Sequence, residues 1–323
     1  MNKYYSLGFF PTPFEKLINL SKHFKDYTLF IKRDDQTGLA TGGNKTRKLE
    51  YLIQDAISQN FDTIITGGAQ QSNHCRQSAA AAAKAGLRCH LMLGGAKPET
   101  YFKGNLLLSK LLGAQIHFTG GNRKGEEISI LKEALIQNGY NPYHIPYGGS
   151  NEIGALGYVR AVKELKEQLE NLNLTIDYIF FASSSGGMQA GLMMGKELYQ
   201  LKSHLIGVNI DKEDKPGRTL QEQILDIIRR GKELIDLDKE FSLEEVTLIR
   251  EYDFAGYGVL TERERNAIQL LAKQEGIILD PVYTGRAFYG MLDYIEQKKI
   301  KPGSNILFWH TGGLPAIFND IIW

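Results

Sequence analysis

The sequence predicts an α/β protein built on open, mostly parallel sheets flanked by helices, and three observations predict it. Short apolar runs of strand length alternate with helical stretches along almost the whole chain, the order that strand–helix units produce. The strand runs are continuously apolar, as in Tyr178-Ile179-Phe180-Phe181, which marks strands buried on both faces. Paired glycines recur after these runs, at 42–43, 67–68, 94–95, 120–121, 148–149, 186–187 and 312–313. In open α/β sheets ligands gather at the carboxyl ends of strands, where glycine permits tight turns and close backbone approach.

The elements follow in order. After Gly42-Gly43, the residues Leu49, Leu52, Ile53, Ala56 and Ile57 recur at helical spacing and give a core-facing stripe. A strand over 63–66 runs into Gly67-Gly68 and a polar loop, and an alanine-rich helix then starts near Cys75 and stops at Gly86. The next strand, 89–93, ends in Gly94-Gly95. A helix carrying Leu106, Leu107, Leu111 and Leu112 leads to Gly113 and a strand over 115–119. Strands over 178–181, 205–210 and 306–309 complete the set, and the charged stretch 211–245 predicts helical surface. No fixed-period repeat or low-complexity tract interrupts this order.

The 323 residues, 42% of them hydrophobic, suffice for a large core and suggest about two domains. A net charge of +1 leaves no basic field for nucleic acid or an anionic membrane. Cys75 and Cys89 are too few for a disulfide framework, which fits a reducing compartment. The N-terminus lacks an apolar stretch of signal-peptide length, and no apolar run reaches the roughly 18 residues of a membrane span. A soluble, cytoplasmic protein is expected.

Three segments carry chemistry. In Thr41-Gly42-Gly43-Asn44-Lys45-Thr46-Arg47-Lys48-Leu49 a lysine opens the first amphipathic helix. The positive end of the helix dipole disfavours an ammonium there, and a lysine that must attack a carbonyl needs a neutral amine. The competing reading is a solvated basic cluster of Lys45, Arg47 and Lys48. In the second segment, strand 178–181 runs through Ala182-Ser183-Ser184-Ser185-Gly186-Gly187 into a helix beginning near Gln189, a turn suited to an anion. It is neither Gly-x-Gly-x-x-Gly nor followed by Gly-Lys-Ser/Thr, so dinucleotide and P-loop nucleotide binding are disfavoured, and a plain strand–helix turn is the alternative. In the third, Gly67-Gly68-Ala69-Gln70-Gln71-Ser72-Asn73-His74 could hold a carboxylate through Ser72, Asn73 and helix N–H groups. His74 and Cys75 alone are too few for zinc, and no metal is expected; a Cys–His catalytic pair stays open beside a buried structural cysteine. Tyr283 and Thr284, in Asp280-Pro281-Val282-Tyr283-Thr284, could cover a flat ring, as could Tyr257; packing is the alternative for each tyrosine.

Taken in order, these segments, with His310-Thr311-Gly312-Gly313, resemble the pyridoxal-phosphate enzymes of the tryptophan synthase β-type fold, known as fold type II. More narrowly they resemble the D-cysteine desulfhydrase / 1-aminocyclopropane-1-carboxylate (ACC) deaminase group. The resemblance runs from Phe10-Pro11-Thr12-Pro13 to Gly313-Leu314-Pro315-Ala316. It implies a homodimeric lyase with pyridoxal 5'-phosphate as cofactor and a small amino acid as substrate. It also implies a larger cofactor-binding domain of residues 1–48 and 155–323, a smaller α/β domain of residues 49–154, and an active site in the cleft between them. By the resemblance Lys45 bonds the cofactor aldehyde and, once released, takes the substrate Cα proton. Asn73 meets the phenolic oxygen, and Ser185, Gly186 and Gly187 hold the phosphate. Tyr283 lies along the ring, Thr311 faces the ring nitrogen, and Tyr257 closes the site. Ser72, Asn73 and His74 bind the substrate carboxylate, with Thr284 beside them.

ACC deaminases resemble this chain but carry an acid after the tyrosine of Asp-Pro-Val-Tyr and a leucine before the last Gly-Gly. Thr284 and Thr311 give the desulfhydrase pattern instead. A neutral partner at the ring nitrogen makes a weaker electron sink, which suits thiolate elimination better than opening a ring that has no Cα–H. The resemblance therefore implies conversion of D-cysteine, or a related β-substituted amino acid, to pyruvate, hydrogen sulfide and ammonia. Within the family the alternatives are ACC deaminase and an L-cysteate or D-serine lyase. A non-catalytic cofactor-binding protein is the alternative of another class. It rests on two departures: Met188, where relatives carry threonine, and Gln70, where an apolar residue is usual.

Overall fold

The computed structural model describes residues 3–122, 124–211 and 217–319. The chain runs β1 (Phe14–Lys16), α1 (Ile18–His23), β2 (Thr28–Arg33), α2 (Lys45–Ser58), β3 (Thr63–Ala69), α3 (Asn73–Ala85), β4 (Arg88–Gly94) and α4 (Gly104–Leu111). It continues β5 (Gln115–Phe118), α5 (Ile128–Gln137), β6 (Pro142–His144), α6 (Glu152–Asn171), β7 (Tyr178–Ser183), α7 (Gly187–Leu198) and β8 (His204–Asn209). Last come α8 (Leu220–Glu233), β9 (Leu248–Ile249), α9 (Glu262–Glu275), α10 (Thr284–Glu296) and β10 (Asn305–His310).

Two sheets result. The larger has the order β1-β2-β10-β7-β8-β9, parallel except for β1, and the smaller is β5-β4-β3-β6, parallel throughout. The continuously apolar strands are explained by helices on both faces of the larger sheet. Phe181, Leu307 and Trp309 pack toward α6, α7 and α8, while Phe180, Ile306 and Phe308 pack toward α9 and α10. Ile64, Leu91 and Leu93 of the smaller sheet pack against α2 and α3, and Ile65 and Met92 pack against Ile128 and Leu135 of α5.

Some expectations are corrected. The strand expected over 63–66 continues to Ala69, so Gly67 and Gly68 lie inside β3 rather than in a turn. Their reason is close approach: a Cβ on Gly67 would stand 2.7 Å from the Gly125 Cα, and one on Gly68 would stand 2.7 Å from the Cys75 sulfur. The alanine-rich helix starts at Asn73 because Ser72 caps it. Within 211–245 the helix α8 is not simply surface, since Leu220, Ile224, Ile227 and Ile228 are buried; residues 212–216 of that stretch lie outside the described residues. The sheets draw on residues 14–33 with 178–310, and on 63–144. Helices α2 and α6 span the boundaries at 48/49 and 154/155 and touch each other. A Cβ on Gly157 of α6 would stand 2.2 Å from the Arg47 carbonyl oxygen of α2.

A buried charge network fixes α2. Arg47 donates to both carboxylate oxygens of Asp34 at 2.8 Å and to both of Glu164 at 2.9 Å. Tyr158 donates to Asp34 at 2.8 Å, and Lys32 pairs with Glu164. Burial alone would raise the Asp34 carboxyl, but the Arg47 guanidinium overcomes it and holds the group below its ordinary range. Removing one member of a buried pair strands the other charge. Arg47→Leu should therefore lower the unfolding free energy by about 3–5 kcal/mol, measured as a shift of the urea midpoint with the slope unchanged. A loss below about 1 kcal/mol would show that the network positions α2 without stabilising the fold.

Candidate active site

The cleft forms where the loops after β3, β7 and β10 meet the N-termini of α2, α3 and α7. Its lining includes Lys45, Lys48, Ser72, Asn73, Tyr147, Ser185, Tyr283 and Thr311. Lys45 is the first residue of α2. Gly42 and Gly43 precede it with φ of +72° and +129°, and the Asn44 N–H donates to the Thr311 carbonyl at 3.0 Å, tying the turn to the end of β10. The Lys45 Nζ donates to Asn44 Oδ1 at 3.2 Å. Burial lowers its pKa to about 8, against the pull of Asp280 and with help from Arg76. A sizeable fraction of this amine is thus neutral near pH 7.5, where an ordinary lysine is almost wholly charged.

Facing it is an anion cradle. Gly186 takes φ +78° and Gly187 opens α7. A Cβ on Gly187 would stand 2.7 Å from Ser150 Oγ and 2.9 Å from Lys48 Nζ, so a side chain would fill the cradle. Ser150 Oγ shares a hydrogen bond with Ser185 Oγ at 2.7 Å and accepts from the Gly187 N–H at 3.2 Å. Lys48 is fully buried and, among the described residues, donates to Ser150 Oγ and the Gly148 carbonyl, at 2.9 and 3.0 Å. Burial, then Lys45, pushes its pKa well down. A buried lysine with no carboxylate partner, at a helix N-terminus, is a setting an anion would satisfy.

At the third edge Ser72 caps α3, accepting from the Cys75 N–H at 3.2 Å and keeping its own proton for donation. The Asn73 carbonyl oxygen accepts from Asn105 Nδ2 at 2.9 Å and from Arg76 at 3.5 Å. Its amide N–H groups are the part left for a ligand. The His74 ring edge reaches the cleft, but its Nε2 bonds Thr66 Oγ1 at 2.8 Å. Burial and the two nearby lysines keep it neutral.

Tyr283 lines the opposite wall, and its hydroxyl bonds that of Tyr257, whose ring stands edge-on at 5.9 Å. Burial, then Tyr257, raises the Tyr283 pKa well above its usual value, so it stays protonated. Thr284 is brought near but not in. Its hydroxyl donates to Asp280 Oδ1 at 2.7 Å, and its side chain serves the cap that Asp280 places on α10. Lys45, Ser72, Asn73, His74, Ser185, Gly186, Tyr283 and Thr311 thus share one lining, with Gly187 beside Ser150 and Lys48 and Tyr257 bonded to Tyr283.

Sequence reasoning missed Lys48, Ser150, Arg76 and Asn105. For Lys48 a signal existed: it stands three residues after Lys45, on the same helical face. Cys75 is a core residue whose thiol burial raises to about 12, so it is no nucleophile. Among the described residues no group of three or more His, Cys, Asp or Glu could hold a metal ion, and no helix is long and apolar enough to cross a membrane. Met188 lines the cleft with its sulfur 3.9 Å from Asn44 Nδ2, while Gln70 points away and donates to the Ala96 carbonyl.

These residues fit pyridoxal phosphate: an amine of lowered pKa for the aldehyde, a cradle with a buried lysine held only by neutral groups for the phosphate, an aromatic wall, and free donors at α3. The comparison with known families agrees. Residues 5–312 match the family described as pyridoxal-phosphate dependent enzyme, and the chain belongs to that family. It is 42% identical to a D-cysteine desulfhydrase of Klebsiella pneumoniae (strain 342) over 313 residues, 95% of this chain and 93% of that one. It is also similar to a solved ACC deaminase homologue, at 37% identity, a TM-score of 0.88 and coverage of 98% and 93%. A fungal L-serine ammonia-lyase from Rhizomucor miehei shares the fold, with a TM-score of 0.67 at 18% identity over 95% of each chain. The protein is a pyridoxal-phosphate-dependent enzyme with the fold type II architecture, as expected.

Lys48→Met should weaken cofactor retention about ten- to hundredfold, the worth of a hydrogen bond to a charged group, while Lys45 still bonds the aldehyde at saturating cofactor. Dialysis against cofactor-free buffer, followed by absorbance, measures it. Retention equal to wild type would move the phosphate away from Lys48.

Proposed function

We propose that the protein is a cytoplasmic, homodimeric lyase that converts D-cysteine and water to pyruvate, hydrogen sulfide and ammonia, or acts likewise on a closely related β-substituted amino acid. The observation that carries this reading is the 42% identity to D-cysteine desulfhydrases over 95% of the chain. In this reading the cleft lies between a larger domain, 1–48 with 155–323, and a smaller one, 49–154.

Pyridoxal phosphate supplies an aldehyde that bonds the substrate amine and a ring that takes up the electron pair released at Cα. The chain's own residues do the rest. Ser72 Oγ and the free N–H groups of α3 receive the substrate carboxylate, and the Asn73 amide donates to the ring oxygen. Lys48, Ser185, Gly186 and Gly187 would hold the phosphate, and Tyr283 would serve as the aromatic wall for the ring. The Lys45 Nζ, neutral at a useful level near neutrality, takes the Cα proton when released. The protonated Tyr283–Tyr257 pair would offer an O–H on that wall of the cleft and help to keep water from it. Thr311 offers the ring nitrogen a hydroxyl rather than a carboxylate, which leaves the sink weak. A weak sink suffices where a thiolate leaves after loss of a Cα proton.

ACC deamination is the second reading, favoured by the similarity to the ACC deaminase homologue. Purified protein given D-cysteine, L-cysteine, D-serine and ACC separates the two. Pyruvate and sulfide from D-cysteine, with little or no oxo acid from ACC, are expected; efficient turnover of ACC with D-cysteine inert would defeat the proposal. Lys45→Ala should lose the absorbance of the lysine-bound cofactor and the turnover together, and near-normal turnover would remove Lys45 from its role.

A further inference from the structure

Arg76 lies on α3 one turn after Asn73 and is completely buried. Its guanidinium has no carboxylate within hydrogen-bond distance among the described residues. It donates to Asn105 Oδ1 at 3.0 Å, to the Gly42 carbonyl at 2.8 Å and to Asn73 Oδ1 at 3.5 Å, and its Nε has no partner. A buried cation held only by neutral groups is costly, and a packed apolar side chain would be cheaper. The charge therefore demands a reason beyond the fold.

Its neighbours supply one. Gly42 begins the turn that presents Lys45, and Asn73 supplies the amide donors left for the cofactor ring. Asn105 Nδ2 also donates to Asn73 Oδ1 and to the Gln71 carbonyl, both at 2.9 Å. One guanidinium thus joins the turn before α2, the start of α3 and the start of α4, and its positive charge stands behind both the amine and the amide.

We infer that Arg76 is a positioning residue that acts through charge: its guanidinium holds the Gly42 turn that presents Lys45 and aims the Asn73 amide at the cofactor. The charged and titratable groups facing Lys45 are Asp280 before α10, Arg76 and His74 on α3, and Lys48 on α2. Asp280 raises the Lys45 pKa, and burial and Arg76 lower it. His74 is held neutral and contributes little charge. Removing the Arg76 charge must then raise the Lys45 pKa, so the fraction of neutral amine at a given pH falls. The inference rests on Lys45 as the cofactor-bonding amine and is independent of which amino acid is the substrate.

The test uses protein stripped of cofactor, in which the rate of aldehyde uptake from added pyridoxal phosphate is followed by absorbance against pH. Lys45→Ala serves as the control: if it still bonds the aldehyde, the assignment of Lys45 fails, whatever Arg76 does. The wild-type rate should rise with pH with its midpoint near 8, the Lys45 value. For Arg76→Met the midpoint should rise by at least about half a pH unit. If Arg76→Met does not fold, Arg76→Gln, which removes the charge but keeps an amide donor, should raise the midpoint in the same way. A merely structural Arg76 would lower the melting temperature and leave the midpoint in place. A folded Arg76→Met or Arg76→Gln with the wild-type midpoint would overturn the inference.

Discussion

Lys45, Lys48 and Arg76 surround one cleft, and none of them has a carboxylate within hydrogen-bond distance among the described residues. The N-termini of α2, α3 and α7 point the positive ends of their dipoles at the same space. Such a centre is poorly satisfied by the protein alone and well satisfied by a polyanion. The nearest counter-charge, Asp280, gives its oxygens to the N–H groups of Val282, Tyr283 and Thr284 and is therefore occupied with α10. Because burial and Lys45 push Lys48 toward its neutral form, a phosphate at the cradle would restore its charge. Cofactor uptake would then draw in a proton there.

The fold exists to bring those helix ends together. Parallel strands deliver their carboxyl ends to one side, and the loops that follow β3, β7 and β10 bring Ser72 and Asn73, the serine–glycine turn, and Thr311 to a common point. Helix α2 is the shared part. It carries Lys45 and Lys48 toward the cleft and, from the same turns, sends Arg47 into the charge network with Asp34 and Glu164. The amine is thus oriented by ion pairs on the far side of its own helix.

Much of this was legible in the sequence, for reasons that are local. A buried parallel strand writes itself as a run such as Tyr178–Phe181, and a ligand turn writes itself as serines and glycines before a helix. Thr28–Arg33 is harder to read, because Lys32 and Arg33 interrupt the apolar run, and only the partner Glu164, far along the chain, explains a lysine in a buried strand. Arg76 was invisible for a related reason: a buried cation cannot be told from an exposed one by spacing alone. Thr284 shows the opposite case. Its place beside Tyr283 suggests a ligand contact, but the Asp280 cap turns its hydroxyl inward.

The contact between α2 and α6 has one more consequence. At Gly157 there is no room even for a methyl group, since the Arg47 carbonyl lies where its Cβ would go. Any side chain at that position must push back the helix on which Lys45 and Lys48 ride. A screen for loss of activity would therefore score Gly157 among the active-site positions although it touches neither cofactor nor substrate. Its apparent importance would measure how little slack the helix has, not what the residue does.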